Sequence, residues 1–207
     1  MVPSSSVMDN LVVTAASRVT DSDLRLARLG ARSARLDWLS RLALMAVESL
    51  GLNFDAMPRD RIGICLAARA GSLSTDMEYW KGRALVGGPS PTLFAYTLPS
   101  AAIGEIAIRH RLTGPNLCFV GEDTVVLPEA ADLIRRGEAD GCVCVSCNLV
   151  TVEAADILQT MPVASACALF LTADAEGLHC FRDVSWRDIS RDMESLCATV
   201  CSRKSPT

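Results

Sequence analysis

The residues best spaced for chemistry lie in LTGPNLCFVGEDTVVLPEAADLIRRGEAD, from Leu112 to Asp140. The spacing predicts a strand, a tight loop, a helix and a glycine stop. That order commonly presents a reactive side chain at a helix N-terminus, where the dipole favours negative charge. Yet the turn holds Gly121, Glu122, Asp123 and Thr124, and no thiol. Cys118 stands several residues earlier, short of the place where the dipole would lower its pKa. Its neighbours Leu117 and Phe119 suggest a packed strand. Glu122 and Asp123 can be read as an acid/base pair. The plainer reading is a helix-start cap of carboxylates.

Cys142, Cys144 and Cys147 form C-x-C-x-x-C, for which zinc is the sharp reading. Cys142 and Cys144, however, share one face of an apolar strand, where cysteine behaves as a small hydrophobe. No second C-x-x-C pair follows, and Cys197 and Cys201 fall on another element. Structural thiols are therefore preferred, and neither a metal nor a cofactor is expected. The two histidines are His110, near a helix end, and His179, beside a turn. The first reads as a partly exposed partner of the helix dipole, the second as a surface imidazole. Neither falls in a motif with a nucleophile, as general-base chemistry would need. No P-loop, dinucleotide fingerprint or nucleophile elbow occurs.

The elements that must position these residues follow from hydrophobic patterning. Leu11–Thr14 reads as a first strand, and residues 16–30 as a loop or short helix. Leu36, Leu39, Ala43, Ala46, Val47 and Leu50 share a face of a helix spanning 33–50, ended by Gly51. RIGICLAARAG (61–71) and ADGCVCVSCNLV (139–150) are continuous apolar runs, expected to be central parallel strands buried on both faces. Residues 87–94 read as a loop. A helix over 99–112 starts at Pro99, and its small residues permit close backbone packing. Asn116–Val120 is a strand, Val125–Arg136 a helix, and 164–186 a hairpin turning near Glu176–Gly177. The polar end, 202–207, is expected to fray. Together these predict one α/β domain over 1–207, a layered, mostly parallel mixed sheet with helices on its faces.

Bulk properties bound the partners. Half of the 207 residues are apolar, 21% are charged and the net charge is −4. The mean hydropathy is +0.27 and the pI about 5.2. So apolar a chain needs a large core or a face buried against a partner. No basic stripe suits nucleic acid. No apolar run reaches the roughly 20 residues of a membrane span. The N-terminus lacks a signal-peptide pattern, so a cytoplasmic setting with reduced thiols is expected.

Four patches, in order, resemble the N-terminal half of β-ketoacyl synthases, enzymes of thiolase fold. They are RIGICLAARAG, SPTLFAYTLPSAAIGEIAIRHRLTGP, EAADLIRRGEADGCVCV and ASACALFLTADAEG, which cover most of residues 60–175. Ser100 stands where that family often has Asn. The family carries Thr-Ala-Cys-Ser/Thr where this sequence has FVGEDTVV, about three residues shorter within ordinary boundary error. The family's catalytic histidines belong to a C-terminal half that this sequence does not include. The departures resemble those of short, ketosynthase-like chain length factors of aryl polyene and type II polyketide pathways.

That resemblance implies half of a thiolase-like fold without catalytic residues. It implies a heterodimer with an active β-ketoacyl-ACP synthase, with acyl carrier protein as a further partner. Asn116, Leu117, Cys118, Phe119 and Val120 would form the seam, pairing antiparallel with the partner's strand. Leu98, Ser100 and Phe119 would reach the partner's acyl tunnel and limit its depth; plain core packing is the alternative for each. Gly121, Glu122 and Asp123 would be an emptied nucleophile turn. A half-fold would also leave one sheet or helix layer uncovered and apolar. Two other functions remain open: an acyl-thioester enzyme for acyl transfer or decarboxylation using Cys118 or Glu122, and a homodimeric acyl-binding scaffold.

Overall fold

The computed structural model describes residues 11–26, 35–85, 87–88, 90–173 and 193–203. At its centre lie β2 (Ile62–Ala68), buried at every position, and β4 (Gly141–Val150), buried except at Asn148. Runs apolar on both faces require helices above and below. The two strands are parallel neighbours, Ile62 opposite Gly141 and Ala68 opposite Cys147. On the other side of β2, β3 (Asn116–Val120) adds in parallel, with Ile64 opposite Asn116. Beyond β4, β5 (Val163–Ala173) runs antiparallel, and β1 (Leu11–Thr20) pairs antiparallel with β5. The order among the described residues is β1-β5-β4-β2-β3, with β5 alone reversed. This is the layered α/β mixed sheet with helices on its faces expected from the sequence.

Strand alternation divides the core in two. Ile64, Leu66, Val143, Val145 and Ala168 face one layer, with α2 (Trp38–Glu48) and α5 (Ser100–His110). Cys65, Ala67, Cys144 and Leu169 face the other, with α6 (Val126–Arg135) and α8 (Met193–Arg203). Each fully buried leucine contributes about 2 kcal/mol by transfer from water. Both central strands are thus covered on both faces.

Several boundaries differ from the sequence reading. β1 continues to Thr20 because a bulge lies between Val13 and Ala15. Thr14 is the extra residue, so the side-chain phase reverses there. Leu11 and Val13 face the α6–α8 layer, whereas Ala15 and Val19 face the α2–α5 layer. Asp21–Leu26 follows as a short α1. The helix expected over 33–50 is confined to Trp38–Glu48, because Asp37 caps it, accepting from Ser40 N at 3.0 Å. The other Asp37 oxygen accepts from Thr75 Oγ1 at 2.8 Å, tying this cap to α3 (Leu73–Gly82). Within the expected loop, Pro91–Phe94 forms one helical turn, α4, capped by Ser90. A further short helix, α7 (Val152–Leu158), joins β4 to β5. The antiparallel character comes from β5 itself; the hairpin arm beyond Ala173, with its turn at Glu176–Gly177, and the tail over 204–207 lie outside the described residues.

Candidate functional site

The turn between β3 and α6 is built from Gly121 onward. Gly121 adopts φ +128°, outside the range of most L-residues, and its N–H donates to the Ala68 carbonyl at 3.2 Å. Asp123–Val125 makes one 3-10 turn, and α6 begins at Val126. The cap expected from Glu122 and Asp123 is not made, since no side chain caps either helical segment. Glu122 instead pairs with Arg69 at 2.7 Å, both largely exposed. Asp123 is turned inward, 6% exposed, with Oδ1 buried and without a hydrogen-bond partner. Such an orphaned acceptor is costly.

Cys118 is half-buried and packs against the α2–α5 layer, and burial pushes its thiol pKa up. That is the reverse of what a nucleophile needs. His110 ends α5 but serves as packing more than as a partner of the dipole. Its ring lies 4.7 Å from that of Phe54, its Nε2 is buried and unpartnered, and burial lowers its pKa. His179 lies outside the described residues. The cysteine triplet is divided by the sheet: Cys142 and Cys144 face the α6–α8 layer and Cys147 the α2–α5 layer. The three therefore cannot converge on one ion. Among the described residues, no group of three or more His, Cys, Asp or Glu is placed to hold a metal.

Among the described residues β3 forms one edge of the sheet, and its burial does not alternate. Asn116 and Val120 are exposed, while Leu117, Cys118 and Phe119 are half-buried. Leu117 and Phe119 point toward the α6–α8 layer. Leu98 is 65% exposed and Val120 68%. They flank one turn: Ser72 Oγ donates to the Thr97 carbonyl at 2.6 Å, and a Cβ built on Gly71 would meet Val120 Cγ1 at 3.4 Å. Ser100 opens α5 and is exposed, and a Cβ on Gly104 would meet nothing within 4 Å; of its small residues, Ala102 is the one fully buried.

Among the described residues the expected bare apolar layer is not found. The outward side of α6 is charged, with Arg136 paired to Asp132 and Glu138 at 2.7 and 2.8 Å. Exposed apolar side chains cluster instead at the rims, at Leu98 and Val120, at Trp80 and Phe94, and along α7 at Val152, Ile157 and Leu158. A feature that sequence patterning missed is an open groove of about 530 Å³ at the carboxyl end of β4. Trp38, Val150, Val152 and Val163 line it. It forms only when β4, β5 and the start of α2 converge, so no contiguous motif marks it. No helix among the described residues is long and apolar enough to cross a membrane.

Comparison with known proteins places this geometry. The family model for the β-ketoacyl synthase N-terminal domain matches residues 13–177. No curated protein matches the chain in sequence. In structure it is similar to a chain of the ishigamide ketosynthase/chain length factor, with TM-score 0.65, 20% identity and coverage of 83% of this chain and 64% of that one. It is similar to a chain of a type II polyketide complex of an acyl-carrier protein with its hexaketide-bound ketosynthase. There the TM-score is 0.65, identity 17% and coverage 79% and 62%. A third similarity is to a chain of the ketosynthase ApeO in complex with its chain length factor ApeC from Xenorhabdus doucetiae, with TM-score 0.62, 19% identity and coverage of 81% and 80%. The chain thus spans less than two thirds of the first two.

Proposed function

Because the chain belongs to the β-ketoacyl synthase family, matched over its N-terminal domain, we propose that it is a non-catalytic subunit of the chain-length-factor kind. It pairs with an active β-ketoacyl-ACP synthase through the open edge of β3, stabilises that enzyme and limits the depth of its acyl tunnel in a polyketide, aryl polyene or fatty-acid-like pathway. The observation that carries this reading is the turn after β3. The strand, glycine and helix that would present a nucleophile are all there, while the inward-facing side chain is Asp123 and burial pushes up the thiol pKa of Cys118 in the preceding strand.

The edge strand supplies the means of pairing. Beyond β2, no described strand pairs with β3. A second strand can therefore add its backbone hydrogen bonds there, with specificity from alternate side chains. Leu98 and Val120 are the exposed apolar anchors beside it. Phe119 lies more deeply, so its contribution to a partner's tunnel would come through the end of the strand rather than across its edge. An acyl carrier protein is a further partner under this reading.

The acyl-thioester enzyme reading is weakened by the same geometry, since Glu122 is engaged by Arg69 and Cys118 is not activated. Co-expression with a ketosynthase encoded beside it, followed by sizing in solution, tests the proposal. A stable heterodimer is expected. A well-behaved monomer that ignores the ketosynthase, or a homodimer that excludes it, would overturn it.

A further inference from the structure

The α6–α8 layer is built partly of sulfur, since Cys65, Cys142, Cys144, Cys167 and Cys197 are buried in it and Cys201 packs against it. Most of these thiols are sealed. Cys197 and Cys201 differ, because they sit one turn apart on α8 with Sγ atoms 3.9 Å from each other. Cys197 is fully buried and its S–H donates to the Ser17 carbonyl of β1 at 2.9 Å. Cys201, in the last turn of the helix, is partly exposed. One thiol meets solvent and the other stands directly behind it.

We propose that Cys197 and Cys201 form a reversible dithiol–disulfide pair, oxidised by hydrogen peroxide, that sets how tightly α8 holds β1. Hydrogen peroxide oxidises the Cys201 thiol to a sulfenic acid and releases one water. The Cys197 sulfur then attacks the Cys201 sulfur, forming the S–S bond and expelling hydroxide, which leaves as a second water with the Cys197 proton. The two thiols lose two electrons, and the peroxide gains them. Two equivalents of a small monothiol such as glutathione reverse the step and become a disulfide themselves.

The environment suits the roles. The Cys197 pKa is lowered to about 7, chiefly by the hydrogen bond with Cys167 and against the effect of burial. A thiol titrating near ambient pH is the best attacking group in such exchange. Cys65 and Cys144 are pushed the other way, Cys65 by its contact with Cys142 and by burial, Cys144 by burial. Closing the bond must bring Cβ atoms from the roughly 5–6 Å of helix neighbours to about 4 Å. Only Ser202 and Arg203 follow Cys201 in α8, so the last turn can tighten without disturbing more of the helix. A strained disulfide of this sort is readily reduced, which makes the pair reversible. Oxidation also removes the Cys197 donor from the Ser17 carbonyl, while Arg18–Glu194 at 2.5 Å remains a polar tie between β1 and α8.

The test uses the purified 207-residue chain, treated with hydrogen peroxide, alkylated and cut with trypsin. Arg191 and Arg203 place both cysteines in one peptide. That peptide should become about 2 Da lighter, resist alkylation and recover with glutathione, as expected for one internal disulfide. Cys167→Ser should still form the disulfide, though more slowly, and Cys201→Ser should abolish it. Amide exchange across residues 15–19 should speed up on oxidation of the parent chain and stay unchanged in Cys201→Ser. The proposal is overturned if Cys197 is found linked to Cys167, if Cys201 proceeds to the sulfonic acid without pairing, if the peptide keeps its two alkylated thiols, or if the disulfide forms with exchange unchanged.

Discussion

β1 and β3 each form an edge of the sheet, yet β1 runs ten residues and β3 five. β1 is buried along most of its length, with α2 on one face and α8 on the other. The bulge at Thr14 bends it, and Arg18 places a charge on it, paired with Glu194. Bulges, charges and covering elements are the means by which natural sheets blunt their edges. β3 has none of the first two: its sequence, NLCFV, is uncharged, its pairing with β2 is regular, and both of its ends are exposed. Among the described residues the fold therefore protects one edge and leaves the other open, and the open one is the edge proposed above to take a partner.

The comparison can be broken most strongly at the approach to β3. A Cβ added to Gly114 would sit 2.3 Å from the Ile62 carbonyl oxygen and 2.7 Å from its carbon, both backbone atoms. Gly114→Ala must push the start of β3 away from β2. A loss of about 3 kcal/mol is expected, at the upper end for overpacking. Urea denaturation should show a lower midpoint at unchanged slope. A cost below about 1 kcal/mol would mean that β3 is loosely held and is no fixed edge at all.

A second change separates pairing from folding. Val120 is 68% exposed at the end of β3. Val120→Lys should leave stability within about 0.5 kcal/mol, as for other surface substitutions. It places on this edge the residue that edges use against unwanted pairing. Affinity for a co-expressed ketosynthase should fall about tenfold or more, equivalent to about 1.4 kcal/mol. Calorimetry and denaturation on the same variant check both halves. Equal affinity would move the proposed seam away from β3.

How far this contrast was legible in the sequence depended on what set each element. β2 and β4 bury both faces, so their unbroken apolar runs marked them to within three residues at each end. β3 was bounded by Gly114–Pro115 and Gly121, and its span read correctly. β1 was cut short because the bulge at Thr14 reverses the alternation on which strand reading rests, and only pairing with β5 reveals one continuous strand. At the site, the lack of a thiol in the turn was plain from the residues. The cap was misassigned because Glu122 is taken by Arg69, 53 positions upstream and delivered by β2–β3 pairing. Local spacing carries no trace of that. The inward rotation of Asp123 was equally invisible, since it depends on the 3-10 turn that intervenes before α6.

The smallest expected effect decides what Glu122 does at the open edge. Its side chain and that of Arg69 are 64% and 55% exposed, so their ion pair is screened by solvent and should be worth about 0.2–1 kcal/mol. If Glu122 acted mainly on the dipole of α6, Glu122→Gln would cost the same whether or not Arg69 were present. If the pair is the real contact, Arg69→Ala should remove most of the effect of Glu122→Gln. A double-mutant cycle by urea denaturation measures the difference, read at low salt where such pairs are strongest. Coupling within the expected range would mean that the turn is tied to β2 rather than capped onto its helix. Zero coupling would return Glu122 to the helix start and leave Gly121 alone to anchor the end of β3.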